Sequence, residues 1–135
     1  TLGSEQLAWV AADLRSRSSS TPIVVFAHMP LWTIYEPWGW GTADADQLLP
    51  HLRRFGSVTV LNGHIHQIVQ KVEGNLTFHT ARSTAYPQPL AGEGAGPGPL
   101  TVAPSQLPAM LGVTRVSRLA HGRSLGLTDL TIGEG

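Results

Sequence analysis

Ser57-Val58-Thr59-Val60-Leu61-Asn62-Gly63-His64-Ile65-His66 is the stretch from which the fold can be read. Its first five residues form a short, largely apolar and β-branched run, the composition of a buried strand. Gly63 predicts a turn at a point where a side chain would obstruct the backbone. Two histidines come next, one residue apart. On extended backbone their side chains diverge; in a tight loop at a strand's end they can converge. Imidazole binds zinc, iron, manganese and nickel. A lone His-x-His is equally at home in an ordinary polar loop, so the pair needs company to mean more.

That company lies upstream. Ile23-Val24-Val25-Phe26-Ala27 is a second apolar run, and it leads into His28-Met29-Pro30-Leu31-Trp32. Two strands thus each end in histidine, and in α/β sheets ligand groups gather at the carboxyl ends of strands. Ala27-His28-Met29-Pro30-Leu31 followed by Asn62-Gly63-His64-Ile65-His66 resembles the last two metal-binding motifs of the calcineurin-like metallophosphoesterases. The single helix between the motifs fits as well, and the resemblance runs from about Leu2 to Ile132.

The earlier motifs of that family (Asp-x-His, Gly-Asp-x-x-Asp and Gly-Asn-His with an acidic residue) do not occur. The aspartates are Asp13, Asp44, Asp46 and Asp129, none in such a setting. The chain therefore looks like the C-terminal half of a family domain. The resemblance implies an α/β (α+β) fold, half of a four-layer α/β/β/α sandwich with a mixed sheet and two main helices. It implies a phosphomonoester or phosphodiester hydrolase with two divalent ions (Mn, Fe, Zn or Ni) roughly 3.5–4 Å apart clamping the phosphate of a small-molecule substrate. His28 and His64 would bind one ion and His66 the other. Three imidazoles bring no negative charge, so carboxylates would come from a missing N-terminal half or a second copy. Half a sandwich leaves a sheet face uncovered, at a cost of roughly 25 cal/mol per Å² of apolar area, which predicts pairing with that half or dimerisation.

Composition sets the outer bounds. The 135 residues suffice for one domain, residues 1–135, with a modest core. Net charge is zero and charged residues make up 13%, against roughly 25% in a typical globular protein. No basic patch suggests a nucleic-acid partner. No apolar run approaches the roughly 18 residues of a membrane span. The absence of cysteine excludes disulfides and thiolate ligands.

Periodicity predicts a helix over 4–17, with Ser4 as N-cap and Leu7, Val10, Ala11 and Leu14 on one face. A second helix is expected over 44–55, capped by Thr42 or Asp44, with Leu48, Leu49, Leu52 and Phe55 as its apolar face. Pro50 predicts a late start or a kink in it, and His51 belongs on its exposed side. Between the first strand and this helix, Trp32, Tyr35, Trp38 and Trp40 crowd into a Gly- and Pro-containing loop. They suit either a pocket wall or partner surface, or a plug in the core.

Strands at 67–72 and 76–80 flank Glu73-Gly74-Asn75 as a hairpin, with His79 read as structural. Arg82, Ser83, Thr84 and Tyr86 form a polar exit able to meet a phosphate. Residues 87–104 form a long Gly/Pro-rich loop, 105–111 a helical turn, and 113–119 with 125–132 a second hairpin.

Gly122-Arg123-Ser124-Leu125-Gly126 fits Gly-x-Ser-x-Gly, which gives an alternative, a serine-type carboxylesterase using Ser124. That motif requires a helix after the serine and a histidine later in the chain. The residues here read as a strand, and no histidine occurs after Ser124. A third reading is a non-catalytic remnant whose aromatic loop binds a partner.

Overall fold

The computed structural model describes residues 1–118 and 125–133. The elements are α1 (Ser4–Arg15), β1 (Ile23–Phe26), a 3-10 turn (Glu36–Trp38), α2 (Ala45–Arg53), β2 (Val58–Asn62), β3 (Gln70–Glu73), β4 (Leu76–Thr80), α3 (Leu107–Met110), β5 (Gly112–Arg118) and β6 (Leu125–Thr131). A four-stranded sheet has the order β1-β2-β4-β3, and β5-β6 forms a separate antiparallel ladder. β1, β2 and β4 run parallel, while β3 pairs antiparallel with β4. This is the expected α+β class with a mixed sheet.

Register sorts the sheet into two faces, because strand side chains alternate. Val25, Val60 and Phe78 lie in register, as do Ile23, Val58 and Leu76. On this face Val58, Val60, Leu76 and Phe78 are buried, and they join Leu48, Leu49, Leu52 and Phe55 of α2 and its C-terminal turn in one core. Leu14 of α1 is buried there too, with Leu7 and Val10 packed alongside. The apolar faces expected of both helices are the faces that pack.

Phe26, Leu61 and His79 line the opposite face, in register with Gln70. The β5-β6 ladder meets this face at His79, whose Nε2 lies 2.9 Å from Asp129 Oδ1. Thr114 donates to the same oxygen at 2.6 Å, and Gln70 Nε2 is 3.0 Å from His79 Nδ1. His79 is thereby buried and structural. Parts of this face stay open: Phe26 is 77% and Val72 71% exposed, while Thr59 is buried.

Several local expectations are corrected. α1 ends at Arg15 rather than Arg17, and its N-cap is Gly3 (φ 84), with no side-chain cap from Ser4. The Asp44 carboxylate instead accepts from Leu2 N–H (2.8 Å) and Gly3 N–H (2.9 Å), tying the starts of the two helices together. Those N–H groups hold its carboxyl below the ordinary value. Asp44 is the N-cap residue of α2, yet its side chain makes no bond to that helix. Pro50 sits inside α2 and forfeits the bond to the Asp46 carbonyl.

The aromatic loop turns inward. Trp40 is 1% exposed, Trp32 packs on Phe78 with centroids 5.0 Å apart, and Trp38 stacks edge-on against both Tyr35 and Trp40. Trp40 is thus buried and Trp32 packs against the core, while Tyr35 and Trp38 stay partly exposed. The 87–104 segment carries no helix or strand.

Candidate metal centre

Parallel pairing of β1 with β2 places their carboxyl ends side by side. The loops leaving them carry His28 and His64. Asn62, the last residue of β2, fastens one loop to the other. Its Nδ2 donates to the Ala27 carbonyl (2.7 Å) and the Met29 carbonyl (3.0 Å), and Gly63 N–H donates to the His28 carbonyl (3.0 Å). Asn62 is buried, and its Oδ1 has no partner. The sequence suggests only a turn-shaping role here, since an Asn at a strand end carries no spacing signal for a cross-loop clamp.

The strained backbone is not where the glycine suggests. A Cβ on Gly63 would lie 3.7 Å from His28 Nδ1, ordinary contact. The positive φ values fall on His64 (69°) and His66 (56°), the non-glycine residues in that region among those described. Ile65 N–H donates to the Gly63 carbonyl (2.8 Å), so His64 is the centre of a γ-turn of the rarer, positive-φ form. Such conformations cost on the order of 1–3 kcal/mol and persist where surrounding structure over-determines them. Ile65, fully buried, is the anchor; it holds the turn down while the histidines on either side project from it.

The two strand-end histidines meet. His64 Nδ1 lies 3.3 Å from His28 Nε2, with the rings edge-on at 79°. Ligand nitrogens about 2.0–2.1 Å from a tetrahedral zinc stand roughly 3.3–3.4 Å apart, so the pair has the bite of two ligands on one ion. Burial, then the neighbouring His28 and His66, push the His64 pKa down, which favours the neutral ring that metals bind.

His66 is placed apart. Its ring packs on Tyr86 at 4.6 Å between centroids, and Nδ1 is 2.7 Å from the Tyr86 carbonyl. A carbonyl only accepts, so Nδ1 carries the proton and Nε2 the lone pair, the arrangement that orients a metal-ligating histidine. The sequence assigns Tyr86 only to a polar exit, and no pattern marks it as this partner.

Among the described residues no group of three or more His, Asp or Glu side chains is gathered to hold an ion. The structure thus brings two of the three expected ligands together, holds the third nearby, and adds no carboxylate. His51 is exposed on α2. Ser124 lies outside the described residues. The element immediately after it is strand β6, not the helix a nucleophile elbow requires.

The loop after the hairpin docks against the histidine turn. Gln88 Nε2 donates to the His64 carbonyl (3.3 Å), and Gln67 Nε2 donates to the Pro89 carbonyl. Arg82 Nη1 donates to the Ala109 carbonyl (3.0 Å) at the end of α3. No helix among the described residues is long and apolar enough to cross a membrane. No protein-family model matches the sequence, and the comparison with curated proteins finds no match.

Proposed function

We propose that the chain is the histidine-bearing half of a calcineurin-like metallophosphoesterase domain, hydrolysing phosphomonoesters or phosphodiesters when carboxylates from another segment or a second copy complete the site. The observation that carries this is the His28–His64 pair. Two imidazoles from adjacent parallel strand ends stand 3.3 Å apart, and the backbone of one of them, His64, is held at positive φ. Strained backbone clusters at functional sites, and the positive φ of His64 beside its imidazole partner supports the reading.

His28 and His64 would hold one divalent ion and His66, through Nε2, a second. Bound ions of this kind supply charge neutralisation on the phosphate and a water acidic enough to attack phosphorus. The protein's own contribution is positional. Asn62 and the Gly63 N–H fix the spacing of the two loops, and the Tyr86 carbonyl fixes the His66 tautomer.

With no carboxylate among the ligands, two adjacent cations would repel without compensation. The chain alone should therefore bind metal weakly and turn over poorly. The open part of the sheet face, with Phe26 and Val72 exposed, supports a partner there, either the absent half of the sandwich or another copy.

The test is metal analysis of the purified chain, together with hydrolysis of bis(4-nitrophenyl) phosphate with and without chelator. Zinc or manganese binding that disappears in His28→Ala and His64→Ala supports the reading, as does chelator-sensitive turnover on adding a carboxylate-bearing N-terminal half. Metal binding indifferent to both substitutions sinks it. Chelator-resistant ester hydrolysis lost in Ser124→Ala would favour the serine esterase instead.

A further inference from the structure

We propose that the cavity between the histidine turn and the 87–104 loop is the subsite for the alcohol portion of the phosphoester, and that it takes an apolar aryl or alkyl group. This rests on the phosphoesterase reading of His28, His64 and His66. The cavity has a volume of about 540 Å³ and is bordered by His66 on one side and Arg82 on another. That size lies within the roughly 300–1,000 Å³ of small-molecule sites. Ile68, Pro89, Leu100 and Met110 supply apolar wall.

The cavity is built rather than incidental. Leu100 N–H donates to the Pro87 carbonyl (2.9 Å), closing the loop on itself. Gly92, at φ 79, passes so close to the Tyr35 hydroxyl that an added Cβ would stand 3.3 Å from it. Gln67 and Gln88 pin the loop's first residues to the histidine turn. A loop of this length without secondary structure, anchored at both ends, is the kind that serves as a binding wall.

Position gives the chemistry. A phosphate held at the histidine rings has His66 at its boundary with the cavity, so its ester group has the apolar wall to enter. One of the five N–H donors of Arg82 is on the Ala109 carbonyl, and the rest of its planar fork suits a phosphate oxygen. Glu93 borders the same cavity, which disfavours a second anionic group on the ligand. The substrate class is thus a phosphoester with one negative centre and an apolar alcohol, rather than a polyphosphate or a sugar phosphate. Hydrolysis puts the water oxygen on phosphorus, breaks the bond between phosphorus and the ester oxygen, and leaves the alcohol with one proton in the cavity.

The experiment titrates the full chain with 1-naphthol, 1-naphthyl phosphate and inorganic phosphate, with and without zinc, following naphthyl fluorescence and, for inorganic phosphate, heat. Naphthol should bind without metal. Leu100→Trp, which fills the cavity, and Met110→Ala, which strips its wall, should each weaken it fivefold or more. Arg82→Gln should weaken naphthyl phosphate at least threefold more than it weakens naphthol. Naphthol affinity unmoved by both Leu100→Trp and Met110→Ala overturns the proposal. Phosphate affinity that zinc fails to raise, at a zinc concentration shown to fill the His28–His64 site, overturns the phosphoesterase reading, while the naphthol results still report on the cavity.

Discussion

Removing the amide of Asn62 is the most direct probe of what holds the two histidine loops together. Asn62→Ala deletes two hydrogen bonds, to the Ala27 and Met29 carbonyls, at a site 5% exposed. Carbonyls left unpaired out of water cost on the order of 1–3 kcal/mol each. Losing the partnerless Oδ1 returns part of that. The expected destabilisation is about 2–3 kcal/mol. For 135 residues the unfolding entropy near 60 °C is about 0.28 kcal/mol/K, so Tm should fall by roughly 7–11 °C. Asn62→Asp should be worse than alanine at neutral pH, because it sets a carboxylate against two carbonyl oxygens. Circular-dichroism melts and urea titrations of the three proteins measure this, and zinc titrations read the His28–His64 spacing in parallel. A change below about 0.5 kcal/mol in Asn62→Ala, with zinc affinity intact, would refute the clamp.

Four further outcomes are expected. Gly63→Ala should change stability by less than about 1 kcal/mol in urea titrations, since the new methyl meets His28 at contact distance. His64→Gly should raise stability by about 1 kcal/mol by relieving the positive φ, while lowering zinc affinity at least tenfold by calorimetry. The His64 pKa is depressed by burial and by His28 and His66, so the metal-free folded state binds fewer protons there than the unfolded chain. Its contribution to stability is full above the unfolded pKa near 6.5 and is lost as pH falls below it; urea midpoints from pH 8 to 5 should show this, and His64→Ala should flatten the curve. Asp129→Ala removes the partner of both His79 and Thr114; hydrogen exchange should quicken in β5 and β6 while β2 and β4 stay protected.

Much of the fold was legible because it obeys short-range rules. The β-branched runs at 23–27 and 57–61 became parallel neighbours, and the apolar spacing of Leu48, Leu49, Leu52 and Phe55 picked out the packed face of α2. Caps were not legible, because Asp44 commits its carboxylate to Leu2 and Gly3, more than 40 residues earlier in the chain. The aromatic loop could not be sorted between surface and core by composition; the contact of Trp32 with Phe78 and the burial of Trp40 place those two rings inward. At the candidate site the sequence marked all three histidines, yet expected a side chain to be obstructed at Gly63, where a Cβ meets only ordinary contact, and gave no sign of the positive φ at His64 and His66. The tautomer of His66 depends on a carbonyl 20 residues away, a contact no local pattern encodes.

β1 ends the four-stranded sheet, and its consequence reaches beyond the histidine site. Ile23-Val24-Val25-Phe26 contains no lysine, no proline and no charge, the devices by which terminal strands usually avoid recruiting other chains. Val24 is 40% and Phe26 77% exposed, and Trp9 stands beside them at 63%. In a solution of this chain alone that edge is a template for strand addition. A partner seated on that strand would act as an aggregation guard as much as a structural support.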